Sequence, residues 1–245
     1  MFAVSILSMK WSLLSVLNNQ STKLMNTTSR TEENYLKAIF QLCEQSDAPI
    51  ATNAIAHAMQ TSAASVTDMI KKLSKKELVH YQKHKGVRLT ETGNSMATNL
   101  VRKHRLWETF LVNKLNFSWE EVHEIAEELE HIPSKKLVDR LDDFLGNPKF
   151  DPHGDPIPDA EGNFTFRKQI SLPELTEGTE GILVGVQDDT MPFLQYLNKL
   201  NLTLGTKIKV IERFEYDEST KIVINGEQEQ ILTNKVCLNL FVKTI

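Results

Sequence analysis

A proline-rich segment divides the chain into two parts with different hydrophobic patterns. Residues 147–164 read NPKFDPHGDPIPDAEGNF, and a proline continues neither a helix interior nor a central strand. Before this segment, apolar residues recur at helical spacing, and after it they occur in short alternating runs typical of strands. We therefore predict an α+β fold, with a linker over 148–166 and a small β-barrel-like domain over 167–245.

The N-terminal stretch carries apolar clusters but lacks the pattern of a targeting or membrane-spanning segment. Lys10 interrupts the clusters, no basic region precedes them, and they are too short to cross a bilayer. We expect residues 1–26 to be a disordered extension or the result of a wrongly assigned start, with Met25 as the alternative first residue.

The two cysteines, Cys43 and Cys237, lie far apart and belong to no CxxC pair. Their spacing argues against a thiolate zinc motif and against a disulfide scaffold. No other stretch reaches transmembrane length, so we expect a cytoplasmic protein that does not contact a membrane.

The first part of the chain has the element order of a winged helix-turn-helix. Helical patterns cover residues 31–44, 52–59 and 63–75, with Thr31 as the expected N-cap and a tight turn between the second and third helices. Alternating residues then turn at Lys85-Gly86, which is typical of a β-hairpin. Three helices followed by a hairpin predict a DNA-binding domain over 27–93.

The charge of this region supports a polyanionic partner. Residues 60–90 contain seven Lys and Arg against two acids, a local balance of 7 − 2 = +5 on a chain of net charge −4. Lysines that merely solubilise a helix are the alternative, but the order of the elements favours double-stranded DNA. The candidate DNA-contacting residues are Ser62, Ser65, Thr67, Lys71, Lys72, Lys75, Lys83 and Lys85.

The middle region, residues 94–147, is predicted to be helical. An amphipathic helix covers about 91–115, and a glutamate-rich helix follows, with Ser118 as its N-cap and Pro133 as its end. A further helix begins after Ser134 and is closed by a glycine.

The glutamate-rich helix carries potential metal ligands on one face. The residues His123, Glu127, Glu130 and His131 have spacings i, i+4, i+7 and i+8, which places them on a stripe opposite the apolar face. His104 and Glu108 lie one turn apart on the preceding helix. If these helices pack together, their imidazoles and carboxylates suit about two divalent ions per subunit, and the absence of sulfur favours Mn²⁺ or Fe²⁺.

Two other interpretations of this stripe remain open at this stage. Carboxylate and histidine clusters also hold catalytic metals, so a di-metal enzyme is one alternative, although no separate nucleophile or base is visible. A metal-independent winged-helix regulator, in which the acidic stripe is only a solvated face, is the other.

The segments RKHRLWETFL, VHEIAEELEHIPS and HGDPIPD, in this order, resemble the diphtheria-toxin-repressor family of metal-dependent regulators, including its manganese-responsive MntR branch. The resemblance covers residues 27–245. It implies an SH3-like, or FeoA-like, C-terminal domain and a helical domain that binds metal and forms the dimer. By position, His104, Glu108 and His123 correspond to the ancillary metal ligands, and the primary ligands correspond to Glu127, Glu130 and His131.

The chain departs from the family pattern in its first helix. Asn34 stands where the family has a Met or Asp ligand, and Lys37 stands where the manganese type has a second acid. In the longer family members the SH3-like domain contributes an acid and an amide to the metal site. The resemblance places these ligands near Gln187, Asp188 and Asp189, with Gln187 and Asp189 as the candidates. The resemblance implies a homodimeric, metal-activated repressor of metal homeostasis genes that binds a DNA operator. It implies neither an enzyme nor a small-molecule substrate.

Overall fold

The structure, a computed structural model, describes residues 28–44, 48–83 and 85–245, so the prediction for residues 1–26 lies outside the described residues. These residues form two compact units. One contains the described residues up to Lys103 together with 130–135 and 160–162, and the other contains 104–129, 136–159 and 163–245. Among the described residues, no helix is both long and apolar enough to cross a membrane.

The first unit contains the predicted winged helix-turn-helix, which is confirmed. Its elements are the helices α1 (Arg30–Glu44), α2 (Thr52–Ala58) and α3 (Ala63–Lys75), the antiparallel strands β1 (Val79–Gln82) and β2 (Gly86–Leu89), and the beginning of α4 (Glu91–Leu115). Leu36, Ile55 and Ile70 are fully buried between the three short helices. Burial of these side chains on one face of each helix explains why the apolar spacing predicted the elements.

The start of α1 differs from the prediction that Thr31 caps it. The Ser29 amide donates to Glu32 Oε2 at 2.7 Å, and the Glu32 amide donates to Ser29 Oγ at 3.3 Å. This reciprocal pair is a capping box, so α1 begins at Arg30 and the expectation for Thr31 is wrong. The Glu32 carboxylate, only 1% exposed, also pairs with Lys72 at 3.2 Å and Lys76 at 2.8 Å, which joins α1 to α3.

The glutamate-rich helix is shorter than predicted. Helix α5 covers Val122–Leu129, and helix α6 covers Lys135–Leu145. Pro133 disfavours the helical conformation at Ile132, so the chain leaves the helix before it. Glu130 and His131 therefore follow α5 in a turn and do not continue its ligand stripe.

The C-terminal region forms a six-stranded antiparallel sheet of order β3-β8-β4-β5-β6-β7. Its elements are β3 (Ile170–Ser171), β4 (Glu180–Val186), α7 (Met191–Lys199), β5 (Lys207–Arg213), β6 (Thr220–Ile224), β7 (Gln228–Leu232), α8 (Asn234–Cys237) and β8 (Leu240–Thr244). Leu183, Leu194 and Ile208 lie in its core. The predicted small β domain is confirmed, but no pairing among residues 163–245 joins the edge strands β3 and β7 into a closed barrel.

The proline-rich segment forms a loop that is held by its own hydrogen bonds and packs against the sheet. Asp151 Oδ1 accepts from the amides of His153, at 2.8 Å, and Asp155, at 2.9 Å. Gly154 has a φ of +93°, and a Cβ at this position would lie 2.2 Å from the carbonyl oxygen of Val184 in β4. Only glycine permits both this conformation and this close approach, so Gly154 fixes the loop against the sheet.

We expect Gly154→Ala to destabilise the chain through steric overlap with Val184. Gly178→Ala is the matched control, because Gly178 also has a positive φ, +79°, but nothing lies within 4 Å of a Cβ there. Both variants carry the backbone strain, and only Gly154→Ala adds the clash. The free energy of unfolding from urea denaturation should fall by about 1–3 kcal/mol more for Gly154→Ala. Equal losses in the two variants would contradict the steric argument.

Candidate metal centre and DNA-binding surface

Glu108 is the central residue of a buried cluster of imidazoles. Its Oε1 lies 2.9 Å from His104 Nε2 and 3.5 Å from His123 Nδ1, and its Oε2 lies 3.6 Å from His153 Nδ1. His104 and Glu108 face each other because they are four residues apart on α4, and α5 supplies His123. The structure therefore brings together His104, Glu108 and His123, as the spacing predicted.

The loop before the sheet adds two potential ligands, Asp151 and His153, that the sequence did not predict. Ligating atoms of Glu108, Asp151 and His153 lie within 4.8 Å of one another, as do those of His104, Glu108 and His123. Both groups share Glu108. The available signal was the Asp-Pro-His sequence in the proline-rich segment, which places a carboxylate and an imidazole two residues apart in a tight turn.

Trp119 fixes the orientation of His153. The His153 Nε2 donates to the Trp119 carbonyl oxygen at 2.8 Å, and the two rings stack with centroids 6.1 Å apart. The Nδ1 of His153 then faces Glu108, and it offers a lone pair to a metal once its proton has been lost. A hydrogen bond on the far nitrogen is the usual way in which a protein orients a metal-binding histidine.

The protonation of this cluster is strongly perturbed. Burial alone would raise the pKa of Glu108, but His104, with His123 and His153, holds that pKa well below its usual range. Burial, with Glu108 and Asp155 nearby, raises the pKa of Asp151 to about 7. Burial would lower the pKa of His153, but Glu108 and Asp151 outweigh it and raise the pKa to about 10. Protonated imidazole thus offsets the carboxylate charge, and a divalent ion that binds here must displace protons.

The donor set fits a divalent ion. Three imidazoles and two carboxylates converge, all of them buried except His123, whose side chain is 43% exposed, and such ligands suit Mn²⁺ and Fe²⁺. His123 Nδ1 is buried and makes no hydrogen bond among the described residues. Its contact with Glu108 Oε1 is long, at 3.5 Å, and an ion beside Glu108 would provide a closer partner.

The structure places the other predicted ligands outside these two groups. Glu127 is half exposed at the rim, with its Oε1 3.7 Å from His123 Nε2. Gln187 and Asp189 are exposed and belong to neither group. Asp188 Oδ1 accepts a hydrogen bond from the Thr190 amide.

Glu130 and His131 lie in a different environment. Glu130 Oε2 accepts from the Lys37 ammonium at 2.7 Å, and His131 Nδ1 lies 2.5 Å from Glu33 Oε2. Asn34 Oδ1 is buried and has no hydrogen-bond partner within the described part of the chain.

The predicted DNA-contacting residues lie on α3 and on the wing formed by β1 and β2. Thr67 donates its hydroxyl to the Ala63 carbonyl oxygen, and Lys72 pairs with Glu32. The remaining predicted residues have exposed side chains: Ser62, Ser65, Lys71, Lys75, Lys83 and Lys85. A basic α3 next to a basic hairpin is typical of a winged-helix surface that meets the phosphate backbone.

A winged helix-turn-helix followed by a buried cluster of imidazoles and carboxylates defines a metal-dependent DNA-binding regulator. Family models match almost the whole described chain: the iron dependent repressor N-terminal DNA binding domain at residues 27–87, the iron dependent repressor metal binding and dimerisation domain at 90–159, and the FeoA domain at 170–244. The chain belongs to the iron-dependent repressor family.

Individual relatives agree with this assignment. The iron-dependent repressor IdeR of Mycobacterium leprae is 32% identical over 178 residues, which cover 67% of this chain and 77% of the relative. A manganese-dependent transcriptional repressor solved in complex with manganese is 33% identical, with a TM-score of 0.77 over 87% of this chain and 100% of that one. The structure of ScaR with bound Zn²⁺ is 37% identical, with a TM-score of 0.70 over 87% of this chain and 99% of that one.

Family membership decides between the alternatives that the sequence left open. The chain is a metal-dependent transcriptional repressor, as predicted, and neither a di-metal enzyme nor a metal-independent regulator.

We expect Glu108→Gln to remove the shared carboxylate and weaken Mn²⁺ binding by at least about 100-fold. The amide keeps the size of the side chain but loses its charge. Glu128→Gln, an exposed position on α5, is the control and should bind Mn²⁺ like the wild type. Isothermal titration calorimetry measures both. Wild-type affinity in Glu108→Gln would show that the imidazole cluster is not the metal centre.

Proposed function

We propose that Mn²⁺ or Fe²⁺ binds at His104, Glu108 and His123, with Asp151 and His153 as further ligands, and that this binding activates repression. The observation that carries the proposal is the sharing of the buried Glu108 carboxylate by three imidazoles. The nitrogen and oxygen donors support Mn²⁺ or Fe²⁺ over softer ions. The relative solved in complex with manganese supports the same choice.

Helix α4 provides the link between metal and DNA. It begins at Glu91, directly after the wing, and carries His104 and Glu108 three to five turns later. An ion that holds α4, α5 and the loop at Asp151 together therefore acts on the helix that follows the DNA-binding domain. Each 1.4 kcal/mol of preference of the ion for the DNA-competent conformation raises its population about tenfold.

The charge of the metal region supports a second contribution. Residues 119–143 contain nine acids and three bases, a balance of 3 − 9 = −6. Without the ion this acidic region repels phosphate, and a bound divalent cation reduces the repulsion. We propose that the operator lies near genes of metal homeostasis and that the protein acts in the cytoplasm, where the DNA is.

We propose that the active form is a homodimer whose interface includes α4 and α6. Phe144 is 62% exposed on α6, and its ring lies 6.3 Å from that of Phe110 on α4. Leu115 and Leu137 are further exposed apolar side chains on the same two helices. A patch of this kind supports an interface between two copies, since dimeric regulators read two half-sites of DNA.

The proposed function predicts that Mn²⁺ strengthens operator binding and that Lys71 contacts phosphate. We expect wild-type protein to bind promoter DNA tightly only with Mn²⁺ in fluorescence anisotropy, and Glu108→Gln to lose this response.

Lys71→Ala should weaken binding to all DNA sequences. It should also reduce the slope of log affinity against log salt concentration by up to about 0.9 per lost contact. Lys199→Ala, on α7 of the C-terminal domain, is the control. Metal-independent binding by the wild type would refute the proposal.

The dimer interface predicts that Phe144→Asp yields monomers, because a carboxylate would be buried without a partner. Tyr216→Asp is the control, since Tyr216 is fully exposed between β5 and β6. Light scattering should give twice the chain mass of 27.9 kDa for the wild type and the control, and the single mass for Phe144→Asp. A dimeric Phe144→Asp would place the interface elsewhere.

A further inference from the structure

The cluster around Glu130 contains a buried ammonium group at the position where a second cation would bind. Lys37 on α1 is 6% exposed and Glu130 is 1% exposed, and their charged atoms are 2.7 Å apart. Glu33 lies one turn before Lys37 on the same face of α1 and contacts His131 Nδ1 at 2.5 Å. Glu130 Oε1 is 3.8 Å from His131 Nε2, so the four side chains form one group.

The charges of this group already balance. Lys103 on α4 is 7% exposed and lines the same small pocket as Glu33. The two acids, Glu33 and Glu130, therefore face two lysines, Lys37 and Lys103. A divalent ion bound beside both lysines would add two further positive charges, and Glu33 and Glu130 are already paired with the charges that are present.

The two clusters differ in whether the group closest to the central carboxylate can become a ligand: it is the His104 imidazole at Glu108 and the Lys37 ammonium at Glu130. An imidazole that loses its proton offers a lone pair to a metal, so the histidines around Glu108 change from counterions into ligands. A lysine ammonium has three donors and no acceptor. A divalent ion on Glu130 would have to displace the Lys37 ammonium from its buried carboxylate. Asn34, which lies on α1 with Lys37, would offer that ion only a buried, neutral amide oxygen.

We infer that the Lys37 ammonium takes, at Glu130, the place of a second divalent ion, and that the chain binds its activating divalent ion at the Glu108 cluster alone. This inference rests on the proposed function for the position of the first ion. The group of Glu33, Lys37, Glu130 and His131 then joins α1 to the turn after α5 through ion pairs, with or without metal. Lys37 thereby sets the metal stoichiometry at one per chain.

The test is the number of Mn²⁺ ions bound by each chain, measured on metal-free full-length protein by equilibrium dialysis with electron paramagnetic resonance of the free ion. Wild type should bind one ion. Lys37→Glu replaces the ammonium by a carboxylate beside Glu130 and should raise the number to two. Lys37→Met/Glu130→Gln removes both charges together, so that neither is left buried alone, and should still bind one ion with wild-type affinity.

The outcomes separate this inference from the proposed function. Two ions in the wild type, one of which is lost in Lys37→Met/Glu130→Gln, would overturn the inference and leave the Glu108 site intact. If the wild type binds a single ion, and that ion is lost in Lys37→Met/Glu130→Gln but retained in Glu108→Gln, both the inference and the proposed function are wrong. A single ion in the Lys37→Glu variant, with an unchanged melting temperature, would show that Lys37 does not determine the stoichiometry. No ion bound to the wild type would overturn both statements.

Discussion

The buried carboxylate of Glu108 is the constraint on which the metal region depends. An ionised carboxylate that is 2% exposed requires compensating partners, and His104, His123 and His153 approach it from three different segments. Helix α4, helix α5 and the loop before the sheet must therefore converge at one point, whether the positive charge is a proton or a metal ion. The same requirement that holds these segments together makes the point selective for a cation.

Much of the fold could be predicted because its signals are local. Apolar spacing gave the helices of the DNA-binding domain, and the His104–Glu108 pair follows from one helical turn. The contribution of His153 could not be predicted, since it depends on a loop that returns to α4 over 45 residues of sequence (153 − 108). The end of α5 at Leu129 was not predicted, because the helical spacing of the ligand residues continues through Glu130 and His131. The backbone nevertheless leaves the helical conformation before Pro133.

The two ion clusters show how similar ligand residues acquire different roles. Around Glu108 the nearest groups are imidazoles, which can bind a metal through a nitrogen that carries no proton. Around Glu130 the nearest positive group is Lys37, which cannot become a ligand while it is charged. The residue types on the glutamate-rich segment alone did not separate these cases. The partners from α1 and α4 separate them, and those partners are set by tertiary packing.

The position of Trp119 bears on the order in which the protein assembles. Its ring packs in the hydrophobic core of the C-terminal sheet, its indole nitrogen donates to Asn198 Oδ1 at 2.9 Å, and its carbonyl orients His153. The sheet core is made of contacts distant in sequence, which form late in folding because the loops between them must close first. A chain whose C-terminal sheet is unfolded thus lacks the contact that orients His153. Folding of the sheet and completion of the Glu108 cluster are coupled through this one residue.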